Sequence, residues 1–391
     1  MKARDAVWIF CRVVDNFGDA GLCWRLARQL VIDHGLAVTL FIDSPEILEQ
    51  IAPAERLQAG GSSAPLRTVP WTDHDEPGML ARAHPYPQAV VSGFGCALPP
   101  GVRAGLAERG PSDPVWVDLE YLSAEDWVDD FHGRASPKPS DNALAHYFFP
   151  GFTPSTGGLL RERDLDTRRS VFQSSGESTR FLASLGVTDW EHPGAKRRRR
   201  ISLFCYRGAP LEAWLQALIA ADEPTLVLAT APVATAAFGA VGGAATSPTW
   251  AAGGLEIRQL PMLVQDDYDR LLWSCDLNIV RGEDSWIRAH WAARPFIWQP
   301  YPQADHAHLI KLDAWLARMA ELLGGEPAES VARVARMMRA WSTGEHVSEA
   351  WHDYLSDTEA ISSLHERWRV HLLAQTDLAS LLVAFIRDRL R

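Results

Sequence analysis

Two short segments join charged side chains to glycine at the kind of corner where a parallel sheet binds its ligands. Asp15-Asn16-Phe17-Gly18-Asp19 follows the apolar run Val7–Cys11 and precedes a helical pattern. Arg281-Gly282-Glu283-Asp284-Ser285 follows Leu277–Val280 and precedes another. Strand-to-helix corners of this type carry the sites of open α/β sheets. In the first corner, two carboxylates four residues apart can grip a cation or divide a proton transfer. If Asp19 caps a helix that begins near Gly21, the helix dipole keeps it ionised at neutral pH. Gly18 permits a tight turn and leaves room for a substrate. The same spacing also fits an N-cap aspartate beside a turn aspartate, both purely structural.

The second corner has anion-binding chemistry. Arg281 offers a planar fork of donors suited to phosphate. Ser285 and the first N–H groups of the following helix can complete the site. Glu283 and Asp284 repel a diphosphate unless they orient Arg281, accept from sugar hydroxyls or face a cationic acceptor. A surface turn with a local Arg–Asp pair fits this spacing equally well. Gln265, just before a helix, can read a nucleobase edge. Phe204 and Tyr206, closing the run Ile201–Tyr206, can flank a nucleotide or sugar face. Core packing is the alternative for these.

Other features carry less. Lys196–Arg200 is a basic run that reads as a solvated lead-in to a strand. His306 and His308 lack further ligands and read as helix surface. Gly93-Phe94-Gly95 has no third glycine in register for a dinucleotide fingerprint. No GxSxG, Walker A, HExxH or kinase signature occurs.

The elements around these corners alternate. Runs at Val7–Cys11, Ala37–Ile42, Leu66–Val69, Ala89–Val91 and Val115–Leu119 read as strands, with a helix over Gly21–Asp33. A second series has strands at Ile201–Tyr206, Thr225–Ala229, Leu255–Gln259, Leu277–Val280 and Pro295–Trp298. Its helices fall at Leu211–Ala220, Asp266–Cys275, Ser285–Ala293 and Asp305–Met319. Such alternation predicts two parallel, Rossmann-like α/β sheets. Between them, Phe148–Pro154 and Gly157-Gly158 read as the entry to a connection, with a helix at about Glu177–Leu185. The Ala/Gly-rich stretch 231–254 reads as a loop. The chain turns all-helical after about Glu326. The expected domains are 1–155, completed by C-terminal helices at about 360–391, and 175–358, with the site between the two.

The 391-residue length calls for two domains. A net charge of −11 argues against nonspecific nucleic-acid binding and permits a basic protein partner or a cationic substrate side chain. Five cysteines without a CxxC pair suit buried, reduced thiols in a cytoplasmic protein. No apolar stretch approaches the roughly 20 residues of a membrane span.

Several blocks resemble the EarP family, bacterial protein-arginine rhamnosyltransferases that modify elongation factor P. They are VWIFCRVVDNFGDAGLCWRLARQL at Val7–Leu30, LEYLSAEDW at Leu119–Trp127, FFPGFTPSTGGLL at Phe148–Leu160, ISLFCY at Ile201–Tyr206, YDRLLWSCDLNIVRGEDS at Tyr268–Ser285 and PFIWQPYPQ at Pro295–Gln303. Their order and span make the combination far more specific than any one motif. The resemblance implies a GT-B fold, two Rossmann-like domains facing across a cleft with C-terminal helices returning to the first. It implies dTDP-β-L-rhamnose as donor, bound mainly by the second domain, and elongation factor P as the protein acceptor. It implies no metal and no cofactor.

By the same resemblance Asp19 is the base, or the carboxylate that polarises the acceptor guanidinium. Asp15 supports it, and Glu283 positions the reacting centre. Asn16, Phe17 and Gly18 form the acceptor-side loop. Arg281, Asp284 and Ser285 hold the donor, Gln265 contacts the thymine, and Phe204, Tyr206 and Tyr268 shape the pocket. Met262 takes the place of an expected aromatic in Leu-Pro-aromatic-Leu. Two other functions compete: a GT-B enzyme acting on a small molecule or glycan, and a non-catalytic module that binds the translation factor.

Overall fold

The computed structural model describes residues 6–15, 17–53, 66–72, 87–109, 114–138, 143–188, 198–221, 223–243, 247–303, 305–324 and 328–390. By contacts the chain divides into two units, Met1–Arg163 with Ala374–Arg391, and Asp164–Leu373.

The first unit runs β1 (Ala6–Cys11), α1 (Phe17–Ile32), β2 (Ala37–Ile42), α2 (Pro45–Ile51), β3 (Leu66–Pro70), β4 (Ala89–Gly93), α3 (Pro100–Arg109), β5 (Val115–Leu119), α4 (Asp126–Phe131), β6 (Ala135–Lys138) and β7 (Ala143–Phe148). Its seven strands are ordered β3-β2-β1-β4-β5-β7-β6. All pairs are parallel except β6–β7. β1 is buried along its whole length, as its unbroken apolar run requires of a strand covered on both faces. Phe10 and Phe41 stack at 4.4 Å between ring centroids, with Trp8 and Trp71 edge-on to one or both rings. The strand order reverses at β1, between β2 and β4, which makes its carboxyl end the topological switch point.

The second unit continues with α5 (Leu165–Ser174), α6 (Glu177–Ser184), β8 (Arg199–Leu203), α7 (Leu211–Ala221), β9 (Thr225–Thr230), α8 (Ala231–Ala240), β10 (Thr249–Ala252), β11 (Leu255–Leu260), α9 (Gln265–Ser274), β12 (Leu277–Arg281), α10 (Asp284–Ala292), β13 (Phe296–Gln299), α11 (Ala307–Leu322), α12 (Ala328–Thr343), α13 (Val347–Leu355) and α14 (Thr358–Leu373). Its sheet order is β10-β11-β9-β8-β12-β13. Here the reversal falls between β8 and β12. These are the strands that end at Phe204–Tyr206 and Arg281.

Four sequence expectations change. First, the Ala/Gly-rich stretch is not simply a loop. Ala231–Ala240 is a helix that buries Val233, Ala234, Ala237 and Phe238, because alanine is the strongest helix former and these positions share one face. Thr249–Ala252 then pairs antiparallel with β11. Second, residues just before Phe148, left out of the strand pattern, form β7. Third, α15 (Leu378–Arg389) alone returns to the first unit, whereas α14 stays in the second. Buried Ile361, Leu364, Trp368 and Leu372 hold α14 there, and Trp368 Nε1–H donates to His290 Nδ1 at 3.2 Å. Fourth, Thr358–Arg389 is long and apolar enough by composition to cross a bilayer. The structure breaks it into helices of 16 and 12 residues, each short of the roughly 20 residues a span needs.

Asp377 caps α15. Its carboxylate accepts from the Ser380 N–H at 3.0 Å and from Gln29 Nε2 of α1 at 2.9 Å. This ties the returning helix to the one that leaves the first corner.

Candidate active site

At the first corner the helix starts earlier than the sequence suggests, at Phe17, so Asp19 is its third residue rather than its cap. The side chain turns back. Asp19 Oδ2 accepts from the N–H groups of Val14 and Asp15, both at 2.8 Å. An acid at the third helical position, in the first turn, thus reaches back to amides that precede its helix. Among the described residues, Oδ1 has no protein partner. Asp19 is only 3% exposed. Burial pushes its carboxyl above the ordinary aspartate range, and Asp43 adds to this, while the two amide bonds pull the other way. The expected capping role is corrected, because Asp19 lies inside the helix and reaches back, and loss of hydration outweighs the two amide donors in setting its pKa. An acid poised upward in this way suits proton transfer.

Asp15 lies beside the turn. The Gly18 N–H donates to the Asp15 carbonyl at 2.7 Å, and a Cβ at Gly18 would stand 2.9 Å from Asp15 Oδ2. A side chain at Gly18 would therefore push the Asp15 carboxylate out of its place. Phe17 opens α1. Asn16 lies outside the described residues, as do Lys196 and Arg197 of the basic run.

At the second corner Arg281 is clamped. Its guanidinium carbon lies 4.3 Å from the Phe204 ring centroid and 4.5 Å from that of Tyr206. Nη1 donates to the Cys205 carbonyl at 3.3 Å. Arg281 comes from β12 and the aromatics follow β8, so the clamp spans the switch point of the second sheet. Gly282, with φ of 61°, makes the turn into α10. Its carbonyl accepts from Trp298 Nε1–H at 2.9 Å, and Trp298 stacks on Trp286 of α10 at 3.6 Å. Glu283 is the residue that flanks α10, and Asp284 is its first.

Ser285 does not turn its hydroxyl outward as an anion donor. The hydroxyl donates to the Arg281 carbonyl and accepts the Arg281 N–H at 3.1 Å. It is used to hold the corner's shape. Gln265 is buried, and its amide donates to Asp284 Oδ2 at 3.2 Å. Tyr268 packs edge-on to Phe204, centroids 6.0 Å apart, with its hydroxyl beside Ser285. Burial pushes that hydroxyl's pKa up, so it stays protonated. Tyr206 is held by its N–H, which donates to Gln299 Oε1 at 2.8 Å, and meets Tyr301 edge-on. Met262 is 42% exposed in the loop after β11.

Sequence reasoning missed two carboxylates. Asp43, one residue past β2, accepts the Val13 N–H at 3.0 Å. Its position after the second parallel strand was the available signal. Asp269 pairs bidentately with Arg288, at 2.9 and 2.6 Å, each side chain 1% exposed. Nothing local marks that pair, since its members lie on separate helices. His308 is buried rather than surface, its Nδ1 accepting the Gln303 N–H at 3.1 Å.

Two doubly wound α/β units are the architecture of GT-B glycosyltransferases. MurG of Acinetobacter baumannii shares the fold, with a TM-score of 0.50 at 14% identity, covering 98% of this chain and 99% of that one. The chain belongs to the EarP family, Elongation-Factor P (EF-P) rhamnosyltransferase EarP, which it matches over residues 7–387. A protein-arginine rhamnosyltransferase of Pseudomonas putida is 41% identical over 399 aligned positions, covering 98% of this chain and all of that protein. A solved structure described as the structural basis for EarP-mediated arginine glycosylation of translation elongation factor EF-P matches with a TM-score of 0.64. Its identity is 30%, over 98% of this chain and 99% of that one. The protein is thus an enzyme of the protein-arginine rhamnosyltransferase family.

Proposed function

We propose that the enzyme moves L-rhamnose from dTDP-β-L-rhamnose, with inversion, to a guanidinium nitrogen of an arginine on elongation factor P. The clamped Arg281 beside the start of α10 carries the donor side of this reading. It is a fixed cation next to helix N–H groups, where a leaving diphosphate needs charge. Membership in the EarP family supports the acceptor, since the family's own description names elongation factor P.

Arginine is a weak nucleophile, with a pKa above about 12 and delocalised lone pairs. A carboxylate must draw its charge, aim one nitrogen and take a proton. Asp19 offers Oδ1 for this, with Asp15 beside it, and the family resemblance gives Glu283 the positioning of the reacting centre. The acceptor nitrogen forms a bond to the anomeric carbon as the bond from that carbon to the diphosphate oxygen breaks. The proton passes to Asp19, and dTDP leaves with the electron pair. Arg281 and the first amides of α10 receive the growing negative charge. Phe204, Tyr206 and Tyr268 border the donor, with Gln265, Asp284 and Met262 near the base and sugar. Phe17 and Gly18 belong to the acceptor-side loop. The scheme needs no metal, because protein cations and N–H donors balance the diphosphate. Five buried free thiols fit work in a reducing cytoplasm.

The test separates binding from chemistry. Asp19→Asn should bind dTDP as the wild type does and lose turnover by at least about 100-fold, the scale of a general base. Turnover within about threefold of wild type would remove Asp19 as the base.

A further inference from the structure

Three successive amides of the loop after β1 are held by two carboxylates. Val13 N–H goes to Asp43 Oδ1 at 3.0 Å, and Val14 and Asp15 N–H go to Asp19 Oδ2 at 2.8 Å. Asp43 stands directly after β2, whose last residue, Ile42, pairs with Cys11. Its own N–H donates to the Cys11 carbonyl at 3.4 Å. Asp43 therefore meets the β1 chain on both sides of Arg12. It does no work for α2, which Ser44 precedes and whose Ile47 N–H bonds to the Ser44 carbonyl. In dinucleotide sites an acid just past the second strand faces ribose hydroxyls. Here the carboxylate is turned onto the loop's backbone instead.

We propose that Asp43 is a positioning residue for the transfer: by holding the Val13 amide it fixes the loop that carries Asp15 and aims Asp19 Oδ1 at the acceptor. This rests on the reading of Asp19 as the acceptor-side base. Displacing a reacting group by about 1 Å can cost roughly 100-fold in rate, so a single anchor at the loop's first amide has leverage on turnover. Asp43 also acts through its charge. The groups acting on Asp19 and its neighbours are Asp43 from β2, Cys11 from β1, Cys23 from α1 and Asp15 from the loop. Cys96 and Arg12 adjoin the same cluster. Of the charged neighbours, Asp43 is the one that raises the proton affinity of Asp19.

The experiment uses the full chain with dTDP-L-rhamnose and elongation factor P. It compares Asp43→Ala with Asp43→Asn, because asparagine keeps an acceptor for the Val13 N–H and loses only the charge. Asp43→Ala should lower kcat at least tenfold while its Kd for dTDP stays within twofold of wild type. Asp43→Asn should recover most of that loss and move the acid limb of the pH–rate profile to lower pH. A kcat within twofold of wild type for Asp43→Ala would overturn the proposal. So would an Asp43→Asn enzyme that recovers none of the alanine loss, and Asp43→Leu, which also lacks the acceptor for the Val13 N–H, replaces the alanine variant if that one fails to fold. No turnover by the wild type on any arginine acceptor would overturn the functional reading and this proposal with it. Normal wild-type turnover with indifferent Asp43 variants overturns only the proposal.

Discussion

Replacing Arg281 with lysine probes the donor corner most sharply, because the charge stays while the fork and its aromatic clamp are lost. Arg281 sits between Phe204 and Tyr206 at 4.3 and 4.5 Å, and one N–H is spent on the Cys205 carbonyl at 3.3 Å. The guanidinium is therefore ordered before any ligand arrives, with further donors left for phosphate oxygens. Lysine loses one charge-assisted hydrogen bond, at about 1.5 kcal/mol. It must also be immobilised on binding, at about 1 kcal/mol. The sum, about 2.5 kcal/mol, is roughly a 60-fold rise in the Kd for dTDP. Calorimetric titration of both proteins with dTDP, and separately with thymidine, measures it. Thymidine lacks the diphosphate, so its affinity should change less than twofold. Equal dTDP affinity in the two proteins, or an equal loss for thymidine, would refute a diphosphate at Arg281.

Two further predictions concern stability. Asp269→Asn leaves Arg288 buried without its anion, which should cost about 3–5 kcal/mol and lower Tm by roughly 10 °C in a unit of this size. Thermal unfolding checks this, and a loss under about 1 kcal/mol would show that Arg288 does not depend on Asp269 for its burial. The second prediction is acid sensitivity of the second unit. Burial lowers the His365 pKa to about 4 and holds His290 well below the usual range. Unfolding restores a pKa near 6.5, so the unfolded chain binds more protons in between. The stabilisation is complete above about pH 6.5 and is lost as pH falls toward 4. His365 should cost about 2 kcal/mol between pH 7 and 5, with His290 acting in the same direction, seen as a lower urea midpoint. An unchanged midpoint would contradict it.

Much of the architecture could be read from the chain because its strands are the buried kind. Val7–Cys11 is a continuous apolar run and Val115–Leu119 is broken only by the buried Asp118, and the helix after β1 shows its apolar face. Both corners were legible for the same reason: glycine and charge interrupt that pattern at strand ends. What was not legible depends on where side chains turn. Asp19 reads as a cap from spacing, yet it reaches backward, because the helix starts at Phe17. Ser285 reads as an anion donor, yet the Arg281 peptide claims its hydroxyl. Arg281 carries no local mark of the Phe204–Tyr206 clamp, which exists only once β8 and β12 pair across the switch point. The break at 374–377 is likewise set by packing. Trp368 is drawn to His290 and Leu378 to the first unit, and neither attraction shows in a helical periodicity that runs through both.

The central claim is tested most directly by the intact mass of elongation factor P after incubation with this enzyme and dTDP-L-rhamnose, alongside an acceptor Arg→Lys control. The account predicts a gain of one deoxyhexose in the unaltered factor and none in the control. No gain, with dTDP bound and the factor folded, would contradict it and point to a small molecule or glycan as the acceptor.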